Sequence, residues 1–125
     1  MIVPDKALYK QRMNGSNTTA GGYAGSELRK SGLNDAKGTI ERAFGREHIL
    51  TGYGVELMTK EMVFGDGENR LSLFRVHKDS IATGEWYWLQ DVVSAANFAF
   101  VYHYGVANDD GASYAGGVRP AFALY

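Results

Sequence analysis

The chain has 125 residues, of which 45% are hydrophobic and 22% are charged, and its formal net charge is −1. That size and balance fit one compact domain with a buried core and exclude a chain that is disordered throughout. The near-neutral charge, with Lys and Arg in several separate segments, gives no electrostatic argument for binding nucleic acid.

The first elements to be predicted are helical. The segment 14–22 is polar and rich in glycine, as loops are. Apolar residues then recur at the spacing of one buried helix face, and they are Leu33, Ala36, Ile40, Ala43 and Phe44. Asn34 stands where a helix N-cap would, and Gly45 follows the last apolar position. The pattern predicts a helix over 34–44, with a shorter one over 26–31.

The second half of the chain predicts one more helix and then strands. Val55, Met58 and Met62 repeat the helical spacing before Gly65, which predicts a helix over 55–64. Beyond a turn, four short runs are apolar and rich in β-prone residues, and they are 71–76, 86–92, 98–104 and 118–124. Helices followed by strands indicate an α+β domain in which helices cover one side of a mostly antiparallel sheet.

The third of these predicted strands is apolar on both sides. Alternation places aromatic residues on one face, and they are Phe98, Phe100, Tyr102 and Tyr104. The opposite face carries Asn97, Ala99, Val101 and His103. One face therefore packs on the core, and the other is partly apolar and exposed. An exposed apolar and aromatic patch is usually an interaction site.

The tract 97–116 combines tyrosines with Asn, Asp, Ser and Gly. This is the composition of antibody-like paratopes, in which Tyr supplies rigid contact area and the small polar residues supply adaptable hydrogen bonds. An ordinary antiparallel hairpin with an Asn-Asp-Asp-Gly turn has the same composition. Composition alone leaves both interpretations open.

Several ordered segments resemble a known group of proteins. Near the C-terminus they are WYWLQDVVSAANFA (86–99), GAS (111–113) and GVRPAF (117–122). Upstream they are 17–26, 33–34, 48–51, 55–58 and 71–75, so that nearly the whole chain is covered. Together they resemble the C-type-lectin-fold proteins of phages and prophages of gut bacteria. Those proteins are often the variable products of diversity-generating retroelements.

The resemblance implies a fold. It implies a C-type-lectin-like α+β domain with two short helices packed on a mostly antiparallel sheet. This would be a single ligand-binding domain over 1–125, either a whole protein or the C-terminal domain of a longer one.

The resemblance also implies which residues face a ligand. In such variable proteins, adenine-specific mutagenesis copied from a template rewrites selected codons while the scaffold stays fixed. The fixed pattern is matched by Phe98, Ala99, Val101, Gly105, Ala107, Ala112, Ser113 and 117–122. The diversified, ligand-binding positions would then be Asn97, Phe100, Tyr102, His103, Tyr104, Val106, Asn108, Asp109, Asp110, Gly111, Tyr114 and Gly116.

The function implied is that of a bacteriophage or prophage adhesin on the virion or cell surface. Its partner would be a protein or glycan receptor on a target cell. Two alternatives stay open. A structural virion component, such as a decoration or fibre-tip domain, would pack the aromatic tract against a neighbouring subunit of a homo-oligomer. A surface module would bind carbohydrate through the same aromatic residues.

Scaffold positions are expected inside, because sequence can vary freely only where side chains contribute little to the core. The scaffold residues expected are Trp86, Trp88, Leu89, Val118, Pro120 and Phe122. Arg119 lies between apolar neighbours and is expected to reach water or to pair with a carboxylate such as Asp91.

No enzyme activity, cofactor or metal is expected. The chain has no cysteine, which excludes disulfides, thiolate metal sites and the chemistry of the lectin-like formylglycine-generating enzymes. His48, His77 and His103 fall in separate segments without a metal-binding spacing. Oxygen atoms from 108–110 could bind calcium, but the EF-hand loop pattern is absent.

Nothing in the sequence predicts export through a visible signal or membrane insertion. The N-terminal residues lack a basic region followed by an apolar run. No stretch approaches the roughly 18 apolar residues that span a bilayer.

Overall fold

The computed structural model of the protein describes residues 1–45, 47 and 54–123, and these form an α+β arrangement of short elements. The strands are β1 (Tyr9–Gln11), β2 (Glu56–Leu57), β3 (Tyr87–Val92), β4 (Asn97–Val101), β5 (Ala107–Gly111), β6 (Gly116–Val118) and β7 (Pro120–Ala121). The α-helices are α1 (Leu33–Phe44), α2 (Lys60–Phe64) and α3 (Ser72–Val76). The described residues also include a π-helical turn (Leu28–Gly32) and 3-10 turns at Gly67–Asn69 and Lys78–Ser80.

Five of the strands form one mixed sheet in the order β1-β6-β3-β4-β5. The pairs β1 with β6, β3 with β4 and β4 with β5 are antiparallel, whereas β6 runs parallel to β3. A separate two-stranded sheet pairs β2 with β7. An isolated bridge between Ile2 and Phe122 brings the beginning of the chain beside its last described residues. The expected α+β class and mostly antiparallel sheet are confirmed.

The large sheet separates two apolar clusters. On one face Trp88, Phe98 and Phe100 pack with the buried side of α1. On the other face β3 and β4 contribute Tyr87, Leu89, Ala99 and Val101, which pack with Val63 of α2 and Phe74 of α3. Helices therefore cover both faces, and the expectation that they cover one side is wrong. The physical reason is that β3 and β4 carry apolar residues on both faces.

The predicted helix over 34–44 is confirmed as α1. Gly45 ends it as expected, with φ at 87° and its N–H donating to the Glu41 carbonyl at 2.9 Å. Asn34 does not cap it, because α1 continues directly from the π-helical turn. The side chain of Asn34 instead donates to the Lys30 carbonyl at 2.8 Å. The turn overlaps the shorter helix predicted over 26–31.

The helix predicted over 55–64 is only half correct. Residues 56 and 57 form β2, and the helix begins at Lys60. Thr59 caps it, since its Oγ1 accepts the Met62 N–H at 3.1 Å. A carboxylate oxygen of Asp91 accepts the Lys60 N–H at 2.7 Å, which places a negative charge at the start of α2.

The strand predicted over 71–76 is wrong, because Ser72–Val76 is helix α3. Only Phe74 of this helix is buried, and Val76 is 73% exposed. Among the other predictions, 86–92 is confirmed as β3. The run 98–104 is β4 only as far as Val101. In the run predicted over 118–124, Val118 ends β6 and Pro120–Ala121 forms β7, and Leu124 lies outside the described residues.

Arg119 lies at the break between β6 and β7 and is 1% exposed. Its Nε donates to the Pro4 carbonyl at 2.7 Å, and its Nη1 donates to the Tyr87 hydroxyl at 3.0 Å. The rings of Tyr87 and Phe74 lie 5.0 and 5.5 Å from the guanidinium carbon. The expectation that Arg119 reaches water or pairs with Asp91 is therefore wrong. The backbone carbonyls of Pro4 and Ile81, the Tyr87 hydroxyl and two ring faces surround this cation instead.

Candidate functional site

The candidate site is built on the β4–β5 hairpin and the segment that follows it. Gly105, with φ at 94°, makes the turn, and its N–H donates to the Tyr102 carbonyl at 2.8 Å. The pairing sets Phe98 opposite Asp110 and Phe100 opposite Asn108. Exposed or half-buried predicted positions here are called the hairpin surface, and they are Asn97, Tyr102, His103, Tyr104, Val106, Asn108, Asp109, Asp110 and Tyr114.

A series of aromatic rings connects the core to this surface. Trp88 is fully buried, and the partly exposed Trp86 packs edge-on against it at a centroid distance of 5.0 Å. Trp86 also contacts Phe100 at 4.6 Å and Tyr114 at 4.9 Å. Each ring is thus supported by one that lies deeper, and Tyr114, which is 52% exposed, is the outermost.

The series continues toward the tip of the hairpin. The centroid of Phe100 lies 6.1 Å from that of Tyr102, and Tyr102 lies 4.9 Å from Tyr104 in an edge-to-face arrangement. His103 packs at 4.9 Å against Tyr104, which is 64% exposed. Edge-to-face pairs of this kind add stability beyond the buried area. The exposed rings are therefore held in defined positions.

Polar side chains occupy β5, the outer strand of the sheet. Tyr102 and Ala112 direct their N–H groups across the hairpin, to the carbonyls of Val106 and Ala96 at 2.7 and 2.8 Å. By the alternation of an antiparallel ladder, the N–H groups of residues 109 and 111 point away from β4.

Neighbouring side chains accept these outward N–H groups. The Oδ1 of Asn108 accepts the Asp109 N–H at 2.8 Å, and the Oδ1 of Asp110 accepts the Gly111 N–H at 2.7 Å. The Oδ1 of Asp109 accepts a hydrogen bond from the Asn97 side chain at 2.8 Å. Asp109 lies on the opposite face of the strand from Asn108 and Asp110, so the three side chains do not converge on a common point.

Three of the predicted ligand-facing positions are buried. Phe100 is 7% exposed and belongs to the core cluster. A Cβ on Gly111 would lie 2.9 Å from the side-chain carbon Cγ of Asn17. A Cβ on Gly116 would lie 2.6 Å from Nε1 of Trp88. A ligand could reach Phe100 only past the rings that cover it, and a side chain at Gly111 or Gly116 would have to displace the Asn17 side chain or the Trp86 and Trp88 rings.

The scaffold residues lie largely as expected. Trp88, Leu89, Val118, Pro120 and Phe122 are buried. Trp86 is partly exposed and contacts the surface ring of Tyr114, so it belongs to the site as well as to the scaffold. Sequence reasoning missed this role. The available signal was the position of Trp86 two residues before Trp88, which places both rings on one face of the extended chain.

A second cluster of polar side chains surrounds the carboxylate of Glu56 in β2. The Tyr23 hydroxyl donates to the Glu56 carboxylate and accepts the Leu57 N–H at 3.0 Å. Arg29 donates to the same carboxylate from Nε and Nη2, the latter at 3.1 Å. Burial, followed by the hydrogen bond to Glu56, raises the pKa of Tyr23. These contacts fasten the N-terminal loop to β2.

Within 1–45, 47 and 54–123, no cluster of three or more His, Asp or Glu side chains could hold a metal ion. His77 and His103 are both exposed, and His48 lies outside the described residues. No helix in this described part of the chain has the length and apolar character needed to cross a membrane.

Comparison with known proteins places the chain in a family. A family model described as a domain of unknown function, DUF6273, matches residues 15–125. No curated protein and no solved structure matches the chain. Because the matched residues include the whole hairpin surface and most of the sheet, the protein belongs to the DUF6273 family.

Proposed function

We propose that this domain binds a partner molecule through the hairpin surface. The observation that carries the proposal is the series of packed rings from the buried Trp88, through Trp86, to the exposed Tyr114. Exposed aromatic rings are costly to leave in water, and large exposed apolar patches are usually interaction sites. Rings that are already held in place lose little conformational entropy when a partner binds.

We further propose that the domain is a C-type-lectin-like variable protein of a phage or prophage. The resemblance in sequence supports this reading, and so does the division between buried scaffold and exposed positions. The hairpin surface then holds the diversified residues. In the fixed pattern, Phe98, Ala99, Val101 and Ala112 are buried, whereas Ala107 and Ser113 are exposed. The proposed role is that of an adhesin on a virion or cell surface.

The partner proposed is a protein or glycan receptor on a target cell. Side chains on the surface, and not the backbone of β5, would make the contacts. Two outward N–H groups of that strand already donate to Asn108 and Asp110. A partner strand would have to break those hydrogen bonds before it could pair.

The test uses two protein variants and arrays of cell-surface proteins and glycans. Tyr104→Ala together with Tyr114→Ala removes two exposed rings and should abolish array binding while the domain stays folded, with only a small loss of thermal stability from the missing ring contacts. Val76→Ala is the control, since Val76 is an exposed apolar residue on α3 and is not part of the hairpin surface. Binding that survives the loss of both tyrosines would place the site elsewhere. A mass that falls when the tyrosines are removed would instead indicate self-association through the rings.

A further inference from the structure

We propose that the step from Asn14 to Gly15 is a site of spontaneous covalent modification, which the native fold holds unreactive through Glu27. When the loop around it opens, the Asn14 side chain converts to aspartate or isoaspartate, and the loop cannot regain its native contacts. The inference is independent of the proposed function, because it concerns how the hairpin is held and not what binds to it.

The sequence supplies the reacting groups. The backbone nitrogen of the residue after an asparagine can attack the side-chain amide carbon, so that a new N–C bond closes a five-membered imide. The amide nitrogen leaves as ammonia, with the proton that the attacking nitrogen loses. Water then opens the imide at either carbonyl and leaves aspartate or isoaspartate. Glycine favours the attack, since it has no Cβ and a flexible backbone. No asparagine of the chain other than Asn14 precedes a glycine.

The native contacts of this step oppose the reaction. Asn14 is 6% exposed, and both ends of its amide are held. Its Nδ2 donates to the Thr18 carbonyl at 2.8 Å, and its Oδ1 accepts the Glu27 N–H at 3.0 Å. The Gly15 N–H donates to a carboxylate oxygen of Glu27. This nitrogen must lose its proton to attack, and a deprotonated nitrogen beside a carboxylate is disfavoured by like-charge repulsion. Local opening of the loop must therefore precede the reaction.

The same loop holds the base of the hairpin. The Asn14 N–H donates to the carbonyl of Ala112, directly after β5, at 3.0 Å. The Thr19 N–H donates to the Ala95 carbonyl at 2.9 Å, and the Thr19 hydroxyl donates to the Ser94 carbonyl at 2.7 Å. Ser94 and Ala95 lie between β3 and β4. The loop is therefore fastened to the hairpin where β4 begins and where β5 ends.

Conversion of Asn14 would prevent the loop from closing as before. An ionised carboxylate has acceptors only, so it cannot donate to the Thr18 carbonyl. It would also bring a second negative charge near the Glu27 carboxylate, at a position where a polar group without its hydrogen bond is costly. Isoaspartate additionally inserts a methylene group into the main chain. The reaction is therefore a one-way release of the loop from the base of the hairpin.

The first test follows deamidation of the whole chain at mildly alkaline pH, in buffer and in urea. Mass spectrometry locates the product in the tryptic peptide 13–29. Asn14 should convert at least about tenfold more slowly in the native chain than in urea, because conversion waits for local opening. Asn17 is an internal control, since it is exposed in the same peptide but precedes the β-branched Thr18.

Variants test the role of Glu27. Glu27→Ala should raise the native rate of conversion about tenfold, because a hydrogen bond to a charged acceptor is lost. Glu85→Ala is the matched control, since this exposed carboxylate faces Lys10 and not the loop. Thermal unfolding verifies that each variant is folded. Glu27→Gln, which keeps an acceptor oxygen without the charge, replaces the alanine variant if that variant does not fold, and it too should raise the rate.

A further variant tests the consequence of the reaction. Asn14→Asp reproduces one of the two products. Hydrogen exchange at the Thr19 N–H should become about tenfold faster in this variant, because the loop opens more readily. The Gly105 N–H, which donates to Tyr102 at the other end of the hairpin, should exchange as in the wild type.

Each outcome bears on one part of the inference. Absence of conversion in urea would show that Asn14 is not a modification site, and equal rates in buffer and urea would overturn protection by the fold. A wild-type rate in the Glu27 variant would overturn the role of that carboxylate. Unchanged exchange at Thr19 in Asn14→Asp would contradict release of the loop.

Discussion

Gly116 lies against the ring of Trp86, so closely that a Cβ on Gly116 would lie 2.5 Å from Cη2 of Trp86. Gly116 has no side chain, and the ring of Trp86 occupies the space that a side chain there would fill. The close contact with Gly116 fixes the position of Trp86, and the Trp86 ring in turn packs against the rings of Phe100 and Tyr114.

Gly116→Ala should consequently displace Trp86 and destabilise the domain. The expected loss is about 1–3 kcal/mol in the free energy of unfolding, because the added methyl group overfills a packed site. Urea unfolding followed by tryptophan fluorescence measures both effects. Gly15→Ala is the control, since a Cβ on Gly15 would make an ordinary contact of 3.4 Å with the Glu27 side chain. Equal stability of the two variants would contradict the packing described for Trp86.

Replacement of Arg119 tests the buried cation. Arg119→Ala leaves a cavity and removes the donors to Pro4 and Tyr87, so the free energy of unfolding should fall by about 3–5 kcal/mol. Arg119→Lys should not restore stability, because an ammonium cannot reproduce the planar fork of donors. Urea unfolding measures the change, with the exposed Arg12→Ala as control. A loss below about 1 kcal/mol for Arg119→Ala would be inconsistent with a structural role.

Tyr9 is expected to limit stability at high pH. Its hydroxyl is buried beside the Ala36 backbone, without a hydrogen bond of normal geometry among the described residues, and burial raises the pKa of Tyr9 to about 12. The unfolded chain ionises near the usual pKa of about 10. Folding therefore disfavours the ionised form of Tyr9, so this group leaves stability unchanged below pH about 10 and lowers it as the pH rises through about 12.

Tyr9→Phe should raise stability at neutral pH by about 1 kcal/mol, because an unpaired buried hydroxyl is removed. It should also flatten the fall in stability above pH about 10. Thermal unfolding over a pH series measures both quantities. Tyr104→Phe, at an exposed ring, should leave neutral stability unchanged. A less stable Tyr9→Phe variant would mean that the hydroxyl has a partner.

The edge of β5 gives a prediction about association. Asn108→Val together with Asp110→Val removes the side-chain acceptors of two outward N–H groups. Freed donors at a sheet edge invite pairing with another strand, so this variant should form dimers at high concentration. Light scattering measures the mass. Asn108→Asp with Asp110→Asn keeps both acceptors and should stay at the mass of the wild type. Identical masses for the two variants would show that these side chains do not protect the edge of β5 from pairing with another strand.

The predictions that succeeded rest on local periodicity. The face formed by Leu33, Ala36 and Ile40 was long enough to specify α1, and Gly45 marked its end. The run 71–76 was too short for periodicity to decide between helix and strand. The carbonyl of Leu71 accepts the N–H groups of Phe74 and Arg75, and this favours the helical turn.

The predictions that failed depend on contacts between distant residues. Ala107–Gly111 was not predicted as a strand because Asn-Asp-Asp-Gly has the composition of a turn. Pairing with β4 makes it one. The crowding at Gly111 comes from Asn17, far away in sequence. The partners of Arg119 likewise include Pro4, at the opposite end of the described chain.

In the candidate site, too, the local pattern was predicted correctly and the contacts between distant residues were not. Alternation correctly put Phe100 and Tyr102 on one face of the extended chain at the end of β4. It could not predict how far other side chains bury that face. Phe100 lies under the packed rings, and Tyr102 is half-buried at their margin. Burial of this kind depends on the segment around Tyr114, which crosses back from β5 to β6.

The most direct test of the account is to sequence the 3′ end of the encoding gene deeply in its source population. If the hairpin surface is diversified, substitutions should concentrate at its codons and trace to adenines in a nearby template copy. Codons 111 and 116 should remain glycine, and codon 86 should remain tryptophan. A uniform 3′ end, or bulky residues at position 116, would contradict a diversified surface supported by Trp86.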